Sequence, residues 1–384
     1  MRPNPRHGEL KVALAAITVY GLLLAARMGR ADWNPGVTVV AGDRFTDRAQ
    51  SPRFLPVRTD SPGYDGTFYF RLAVSPWNWT GRVAGIVLDV PAYRARRILY
   101  PLLGWAAARG DPFRSAVALL VVNWLGLGVI AWLGARWAVR ERLSAWWGLL
   151  FVLYPGYLMT LFRDLTEIVA AVCLMGALVA WRERASLRQS LLLALGCLAR
   201  ETVLLATAAA GLDTILRRRG GRKRYILALL PLGVFGVWQL VILLRLPGTA
   251  SKTGLAALNL ARPFNGIGYL AATMSARPRP VHLLWILELS VLAIGAALVG
   301  YRQIKRQVPA AWIVAAWAGY ALMIVMLSEH VWCEDWAFTR AAHEFHLLGC
   351  VIMLRGPLKP AFRVVGAWYV AVWGATAVHV ALRP

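Results

Sequence analysis

Apolar residues along this chain come in long, nearly uninterrupted blocks rather than in the short alternations of a half-buried sheet. Most blocks run for about fifteen to twenty-two residues, and arginine-rich segments separate them. A helix needs roughly 20 apolar residues to cross a hydrocarbon layer about 30 Å thick. The pattern therefore predicts an all-α, polytopic membrane protein, which we treat as a single integral membrane domain over residues 1–384.

We expect eleven membrane-spanning helices, two or three of them short. The first block could also be a signal peptide, but an uncleaved helix is the preferred interpretation. The segment 98–108 is too short to span and is expected to be interfacial or re-entrant. The short pair 191–199 and 202–216 turns at Arg200 and Glu201. The predicted spans are residues 12–26, 116–135, 145–162, 165–181, 191–199, 202–216, 225–244, 283–301, 310–328, 345–354 and 364–382.

Composition supports this class and excludes a soluble globular protein. Hydrophobic residues make up 58% of the 384 residues, charged residues make up only 16%, and the mean hydropathy is +0.53. A formal net charge of +24 would suggest nucleic acid as the partner of a soluble protein. Here the cations flank apolar blocks, so we expect the lipid bilayer as the partner and no nucleic acid.

The distribution of cations predicts the orientation. With the N-terminus in the cytoplasm, the cytoplasmic segments carry 21 Lys and Arg residues and only three acids. This agrees with the positive-inside rule and leaves the C-terminus extracytoplasmic. The long segment 29–97 holds ten arginines, but loops longer than about 60 residues translocate largely regardless of charge. We therefore expect it to be a large first extracytoplasmic loop.

This topology sends nearly all intramembrane or juxtamembrane polar residues to the outer side, where they predict a polar cavity. Asp65, in GYDGTFYF, is the candidate general base. We expect burial against Phe68, Tyr69 and Phe70 to raise its pKa towards neutral pH. The alternative is an Asx-type turn that caps a helix beginning near Thr67.

Arginines and acids from four further segments join the outer set. Arg94, Arg96 and Arg97 precede the short interfacial segment, where guanidinium groups could clamp a lipid phosphate or simply snorkel. Asp164 and Glu167 are expected to share a helical face. For Arg200 and Glu201, an internal ion pair is favoured over a catalytic role. The fourth segment is 329–346.

Segment 329–346 contains an H-x2-C and an H-x2-H pattern at His330, Cys333, His343 and His346. These spacings resemble a metal site. Hydrogen bonds to a phosphate or to Glu344 are the favoured interpretation, and no metal is predicted. The common nucleotide-binding, dinucleotide-binding and protease motifs do not occur in the sequence.

Five motifs, taken in order, carry a resemblance over most of the chain. GYDGTFYFRLA, PAYRARRILYP, FRDLTE, LARET and TRAAHEFHLLG resemble a little-characterised bacterial family of multipass proteins associated with cell-surface glycopolymer formation. That family is similar to the GT-C glycosyltransferase superfamily, which includes polyprenyl-phosphate-mannose-dependent mannosyltransferases. The chain departs from larger members in having no D-x-D pair beside Asp65, which leaves metal use and acceptor choice open.

The resemblance implies a GT-C-like fold in the bacterial plasma membrane, with an extracytoplasmic active site beneath the first loop and no cofactor. It implies a polyprenyl-phosphate-linked sugar donor, a glycan or glycolipid acceptor, and a base in the first loop, which by position is Asp65. We expect the donor phosphate to meet Arg94, Arg97, Arg200 and Arg340. The expected substrate-orienting residues are Tyr64, Tyr69, Asp164, Glu167, Glu201 and His343.

Two other functions fit an outward polar cavity. A transporter or flippase could move an anionic lipid-linked glycan through it. The clustering of polar residues at one face, rather than at the bilayer midplane, counts against this. A non-catalytic subunit of a polysaccharide assembly complex is the third option, and it predicts that Asp65 tolerates substitution.

Overall fold

The structure is a computed structural model that describes residues 5–216, 221–246, 259–276, 280–306, 311–334, 336–356 and 359–382. The predicted cytoplasmic cations at Arg2 and at positions 217–219 lie outside the described residues, as do Asp335 and the first residue of the predicted span 310–328. Most of the described residues are helical.

The first helix is followed by a folded polar loop. Arg71 is fully buried within it and donates hydrogen bonds to the carbonyl oxygens of Ile86 at 3.0 Å, Asn78 at 2.7 Å and Gly81. These bonds tie the loop to one helix. The elements are α1 (Pro5–Gly29), a 3-10 helix (Pro35–Thr38), two parallel-paired strands β1 (Ala41–Gly42) and β2 (Val57–Arg58), α2 (Asp65–Val74), α3 (Pro91–Ala95) and α4 (Leu99–Ala108).

The central helices form the core of the bundle. The longest of them starts where Asp111 accepts a hydrogen bond from the Arg114 amide at 2.7 Å and Pro112 occupies the first turn. It packs against α1 and α4. The elements are α5 (Pro112–Arg140), a 3-10 helix (Ala145–Phe151), α6 (Pro155–Phe162), α7 (Glu167–Arg182), α8 (Ser186–Ala199), a 3-10 helix (Glu201–Val203) and α9 (Leu204–Leu216).

The second half of the chain adds further helices around this core. The elements are α10 (Arg222–Arg245), α11 (Asn265–Ala276), α12 (Pro280–Lys305), α13 (Ala311–Val325), α14 (Glu329–Cys333), α15 (Ala337–Ala341), α16 (His343–Met353) and α17 (Lys359–Leu382). Among them, α10 packs on α8 and α9, α12 packs on α16 and α17, and α13 packs on α9 and α16.

Among the described residues, four helices are long and apolar enough to cross a membrane: α1, α5, α10 and α12. The 3-10 helix before α6 and α6 itself make a fifth if they count as one span bent by 64°. The chain is thus an all-α protein with several membrane-spanning helices. Each of the eleven predicted spans contains helix where it is described, although residues 152–154, 165–166 and 326–328 are not helical. The count of eleven and the GT-C fold stay predictions.

One end of the bundle is rich in arginine. Glu183 accepts bonds from Arg136 at 2.6 Å, from Arg140 at 2.5 Å and from Arg188. A second acid is similarly surrounded: the carboxylate of Glu141 contacts two further arginines, Arg182 and Arg355. This end is the one predicted to face the cytoplasm.

Candidate functional site

Asp65 lies in the first turn of α2, and residues on either side of it bond to the carbonyl oxygen of Val40. The Tyr64 amide donates to the Val40 carbonyl at 2.9 Å, and the Thr67 hydroxyl donates to the same oxygen at 3.0 Å. The helix therefore begins at Asp65, two residues before the predicted start. The Asp65 carboxylate does not cap the helix, as the alternative interpretation required, but accepts bonds from two arginines.

Arg94 joins Asp65 to a second carboxylate. Its Nη1 donates to Asp65 Oδ1 at 2.7 Å, and its Nε and Nη2 donate to the two oxygens of Asp89 at 2.8 and 2.7 Å. The guanidinium also lies over the Phe68 ring, 4.3 Å from its centroid. The paired bonds to Asp89 fix the plane of the guanidinium, so Arg94 presents one nitrogen to Asp65.

Arg97 forms a second two-point pair. Its Nε and Nη2 donate to Glu201 at 2.9 and 2.6 Å. Its Nη1 donates to the Tyr69 hydroxyl at 3.1 Å, and Nη2 also donates to the Tyr93 hydroxyl at 2.7 Å. Burial raises the pKa of Glu201, but the charge and hydrogen bonds of Arg97 together with the charge of Arg200 lower it by more, to about 2. Glu201 is therefore ionised at neutral pH.

Glu167 joins two further arginines of the network. One of its oxygens accepts bonds from Arg340 Nε at 2.7 Å and from Arg200. Arg340 continues to Asp65, 2.6 Å from its Oδ2, and to the Tyr64 hydroxyl at 3.2 Å. Asp65 is thereby held between Arg94 and Arg340, which come from distant parts of the sequence.

Two expectations about local pairing are wrong. Arg200 and Glu201 are not an internal pair, because Arg200 bonds to Glu167 and Glu201 bonds to Arg97. Asp164 and Glu167 do not share a helical face, because α7 begins at Glu167 and Asp164 lies before it in a left-handed conformation with φ of 48°. The turn between α6 and α7 separates their side chains.

The expected pKa of Asp65 is also wrong in direction. Burial alone raises the pKa of this carboxyl, as the sequence suggested. The charges of Arg94 and Arg340, with a smaller effect of Arg97, lower it by more and hold the pKa well below its usual range. Only 21% of the Asp65 side chain is exposed, so little water screens these arginines. Asp65 is ionised, with low affinity for a proton.

The network faces a cavity of about 860 Å³. The charged side chains of its lining come largely from α2, α3 and α15 and the residues beside them, and we call this part the charged end. The apolar side chains that α9, α10 and α13 contribute, such as Phe235 and Met323, form what we call the apolar end. It reaches the exterior at Leu205 and Leu322, which line the cavity and are 36% and 58% exposed. The charged lining residues are Arg94, Arg96, Arg97, Arg200, Arg340, Asp65, Asp89, Glu201 and Glu334.

Not all of the predicted site residues reach this cavity. Tyr64, Tyr69 and Glu167 contact its arginines from behind rather than lining it. Asp164 is buried elsewhere, where its Oδ2 lies 2.7 Å from the Thr38 hydroxyl. His343 is also fully buried, with Nδ1 2.9 Å from the carbonyl oxygen of Arg340. Both lie outside the cavity lining.

The histidines of segment 329–346 are not gathered around a metal. His346 Nε2 lies 3.1 Å from the Leu150 carbonyl, and its ring stacks on Tyr154 at 4.3 Å. The His343 ring lies against Arg340 and Glu344 instead. In the part of the chain that the structure describes, no group of three or more His, Cys, Asp or Glu side chains could hold a metal ion.

Sequence reasoning missed five polar residues of the described lining: Asp89, Tyr93, Thr202, Gln239 and Asn259. Asp89 comes five residues before Arg94 in LDVPAYR, directly ahead of a helix that begins with proline. That proximity was an available signal, since α3 is a single turn. Gln239 lies on α10, within an apolar block that gave no indication of which face meets the cavity.

In comparisons of the chain with known proteins, no family model, no curated protein and no solved structure matches it. The resemblance to the glycopolymer family therefore rests on the five motifs alone.

Proposed function

We propose that the protein is a membrane glycosyltransferase that moves a sugar from a polyprenyl-phosphate donor to a glycan or glycolipid acceptor on the extracytoplasmic face. The observation that carries this proposal is the cavity, which combines a charged end with an apolar end that opens to the exterior. A lipid-linked sugar phosphate has the same two parts. Its headgroup suits the arginines and its chain suits the apolar wall.

Asp65 is the proposed base in this reaction. The attacking hydroxyl becomes strongly acidic once its oxygen begins to bond to the anomeric carbon, so a carboxylate that is already ionised can take the proton at that stage. The bonds from Arg94 at 2.7 Å and Arg340 at 2.6 Å orient the carboxylate and keep it ionised. They also place positive charge beside the phosphate that leaves.

The remaining charged residues hold these groups in position. Asp89, Glu201 and Glu167 each fix the orientation of an arginine that lines the cavity. Because long arginine side chains are otherwise mobile, this arrangement supplies a preorganised positive surface for the phosphate. No metal is needed to neutralise a monophosphate leaving group when several guanidinium groups surround it.

The test is complementation of a deletion strain with the unaltered gene, Asp65→Asn or Asp60→Asn at matched protein levels. Asp60 is exposed in the same loop and its side chain forms no ion pair among the described residues, so Asp60→Asn is the matched control. We expect the unaltered gene and Asp60→Asn to restore the missing envelope sugar. Asp65→Asn should lower transfer by about a hundredfold or more.

Envelope glycan composition is the measurement. Full restoration by Asp65→Asn would remove Asp65 as the base and favour a transporter or a non-catalytic subunit. Thermal unfolding of purified Asp65→Asn separates loss of chemistry from loss of fold, because a correctly folded but inactive variant unfolds close to the unaltered protein.

A further inference from the structure

The four arginines that were predicted to bind the donor phosphate are already hydrogen-bonded to carboxylates. Arg94 and Arg340 share Asp65, Arg97 holds Glu201, and Arg200 holds Glu167. An anion that enters the cavity gains less from such arginines, because it must share or displace a charge-assisted hydrogen bond. These arginines are therefore better suited to provide a fixed positive charge around the anion than to bind it directly.

Arg96 lines the same cavity and differs from them. Its Nε is buried and has no hydrogen-bond partner, and its guanidinium forms no ion pair, among the residues that the structure describes. The preceding residue is fixed in place, since Trp238 Nε1 donates to the Ala95 carbonyl at 2.9 Å and joins α3 to α10. A buried donor without an acceptor is unfavourable unless a ligand or water supplies one.

The charge balance of the lining points the same way. Five arginines and four acids line the cavity. Three of the acids, Asp65, Asp89 and Glu201, bond to arginines other than Arg96. The fourth, Glu334, is exposed and makes no ion pair with Arg96 in the described part of the chain. Among the residues that the structure describes, Arg96 is therefore a cation of the cavity without a counter-ion.

We infer that Arg96 is the residue that binds the anionic phosphate of the substrate, while the carboxylate-bound arginines keep the surrounding cavity rigid. This assignment rests on the proposed function, because that function supplies the lipid that carries the phosphate. The shared chemistry is a phosphate ester, and the apolar wall at Phe235 and Leu322 favours one that carries a hydrocarbon chain over free phosphate.

The experiment is calorimetric titration of the purified full chain with farnesyl phosphate, with farnesol and inorganic phosphate as separate probes. The variants are Arg96→Gln, Arg96→Lys and the control Arg53→Gln, which changes an exposed arginine of the first loop outside the cavity. We expect Arg96→Gln to weaken farnesyl phosphate binding about ten- to a hundredfold. Arg96→Lys should lose less, and Arg53→Gln should bind as the unaltered protein does.

Farnesol carries no phosphate, so its binding should be the same in Arg96→Gln and in the unaltered protein. Equal binding of farnesyl phosphate by both proteins, or equal loss of farnesol, would overturn the assignment. Inorganic phosphate that binds as tightly as farnesyl phosphate would replace the lipid ester by free phosphate and overturn it as well. Thermal unfolding of each variant shows whether a weakened response reflects a lost fold.

The outcomes also separate this assignment from the proposed function. If binding of farnesyl phosphate depends on Arg96 but the envelope sugar is the same in the deletion strain and the complemented strain, the phosphate site is supported and the proposed transferase function is contradicted. Sugar transfer that survives in Arg96→Gln, with unchanged binding, would support the transferase and remove Arg96. If the unaltered protein binds no farnesyl phosphate, both proposals fail.

Discussion

The Thr38 hydroxyl lies 2.8 Å from the Pro35 carbonyl oxygen and 2.7 Å from Asp164 Oδ2. A hydroxyl has one hydrogen to donate, so two acceptors cannot both be satisfied. A protonated Asp164 resolves the conflict, because its O–H donates to Thr38 while Thr38 donates to Pro35. Burial raises the pKa of Asp164 to about 7, against the smaller opposing effect of its hydrogen bonds.

Asp164→Asn is therefore expected to change how stability depends on pH. An acid whose pKa is raised on folding stabilises the protein fully below its unfolded value near 4 and loses that contribution as the pH rises through about 7. An asparagine amide donates to Thr38 at every pH. We expect Asp164→Asn to match the unaltered protein near pH 5 and to unfold several degrees higher at pH 8.

Thermal unfolding in detergent between pH 5 and 8 checks this, with Asp60→Asn as the control for an exposed aspartate. Parallel pH profiles for Asp164→Asn and the unaltered protein would contradict a neutral Asp164.

At the scale of single residues, the sequence predicted a polar cavity formed by charged groups from separate segments but did not predict how those groups pair. Arg200 and Glu201 are adjacent in the chain, yet each bonds to a residue over thirty positions away. A pair of adjacent residues on an extended backbone points in different directions, and Arg200 has extended dihedral angles. The low pKa of Asp65 was hidden for the same reason, because it depends on Arg340, 275 residues away.

Among the elements, α2 is positioned by a close backbone contact at Gly66. A Cβ atom added there would meet the carbonyl oxygen of Arg163, and would lie 3.0 Å from the Val39 oxygen. Backbone atoms in two separate segments cannot move aside cheaply. The missing side chain at Gly66 thus allows Asp65 to sit beside the turn that precedes α7.

Gly66→Ala is expected to destabilise the protein by about 1–3 kcal/mol and to displace Asp65 from its arginines. Gly268→Ala on α11 is the matched control, because an added Cβ there meets nothing within 4 Å. Thermal unfolding and sugar transfer of the two variants are compared. A Gly66→Ala protein as stable and active as the control would show that α2 does not depend on this contact.

The apolar blocks predicted where helices lie, and the structure has helix at every predicted span that it describes. They did not predict the 64° bend before α6, although Pro155 marks the start of that helix. They also missed α11, whose 12 residues are too few to give a spanning-length block. The length of an apolar block in the sequence indicates whether a helix can cross the lipid. Bends and short helices instead depend on how the elements pack against one another.

For the whole molecule, the two ends of the bundle carry charge differently. At the cavity end, arginines and acids are nearly balanced, whereas at the other end single acids such as Glu183 are surrounded by several arginines. The excess of cations at that end is the basis of the predicted orientation, with α7 and α8 turning on the cytoplasmic side.

Labelling of single cysteines tests this orientation. In a Cys333→Ser background the remaining cysteines are buried, so Glu329→Cys and Arg184→Cys, at exposed positions near opposite predicted sides, report separately. A membrane-impermeant maleimide is expected to label Glu329→Cys in intact cells and Arg184→Cys only after permeabilisation. The cysteine-substituted background without either change is the control, and the reverse labelling pattern would invert the topology.

At the apolar end of the cavity, the lining residues Leu205 and Leu322 are exposed, so the cavity meets apolar surface of the molecule there. A lipid substrate would arrive there by two-dimensional diffusion within one leaflet. In the proposed reaction, the effective donor concentration would be its mole fraction in the membrane, so adding inert lipid would slow transfer at constant bulk concentration. The spent lipid carrier would return to the leaflet by the same route and compete with the next donor.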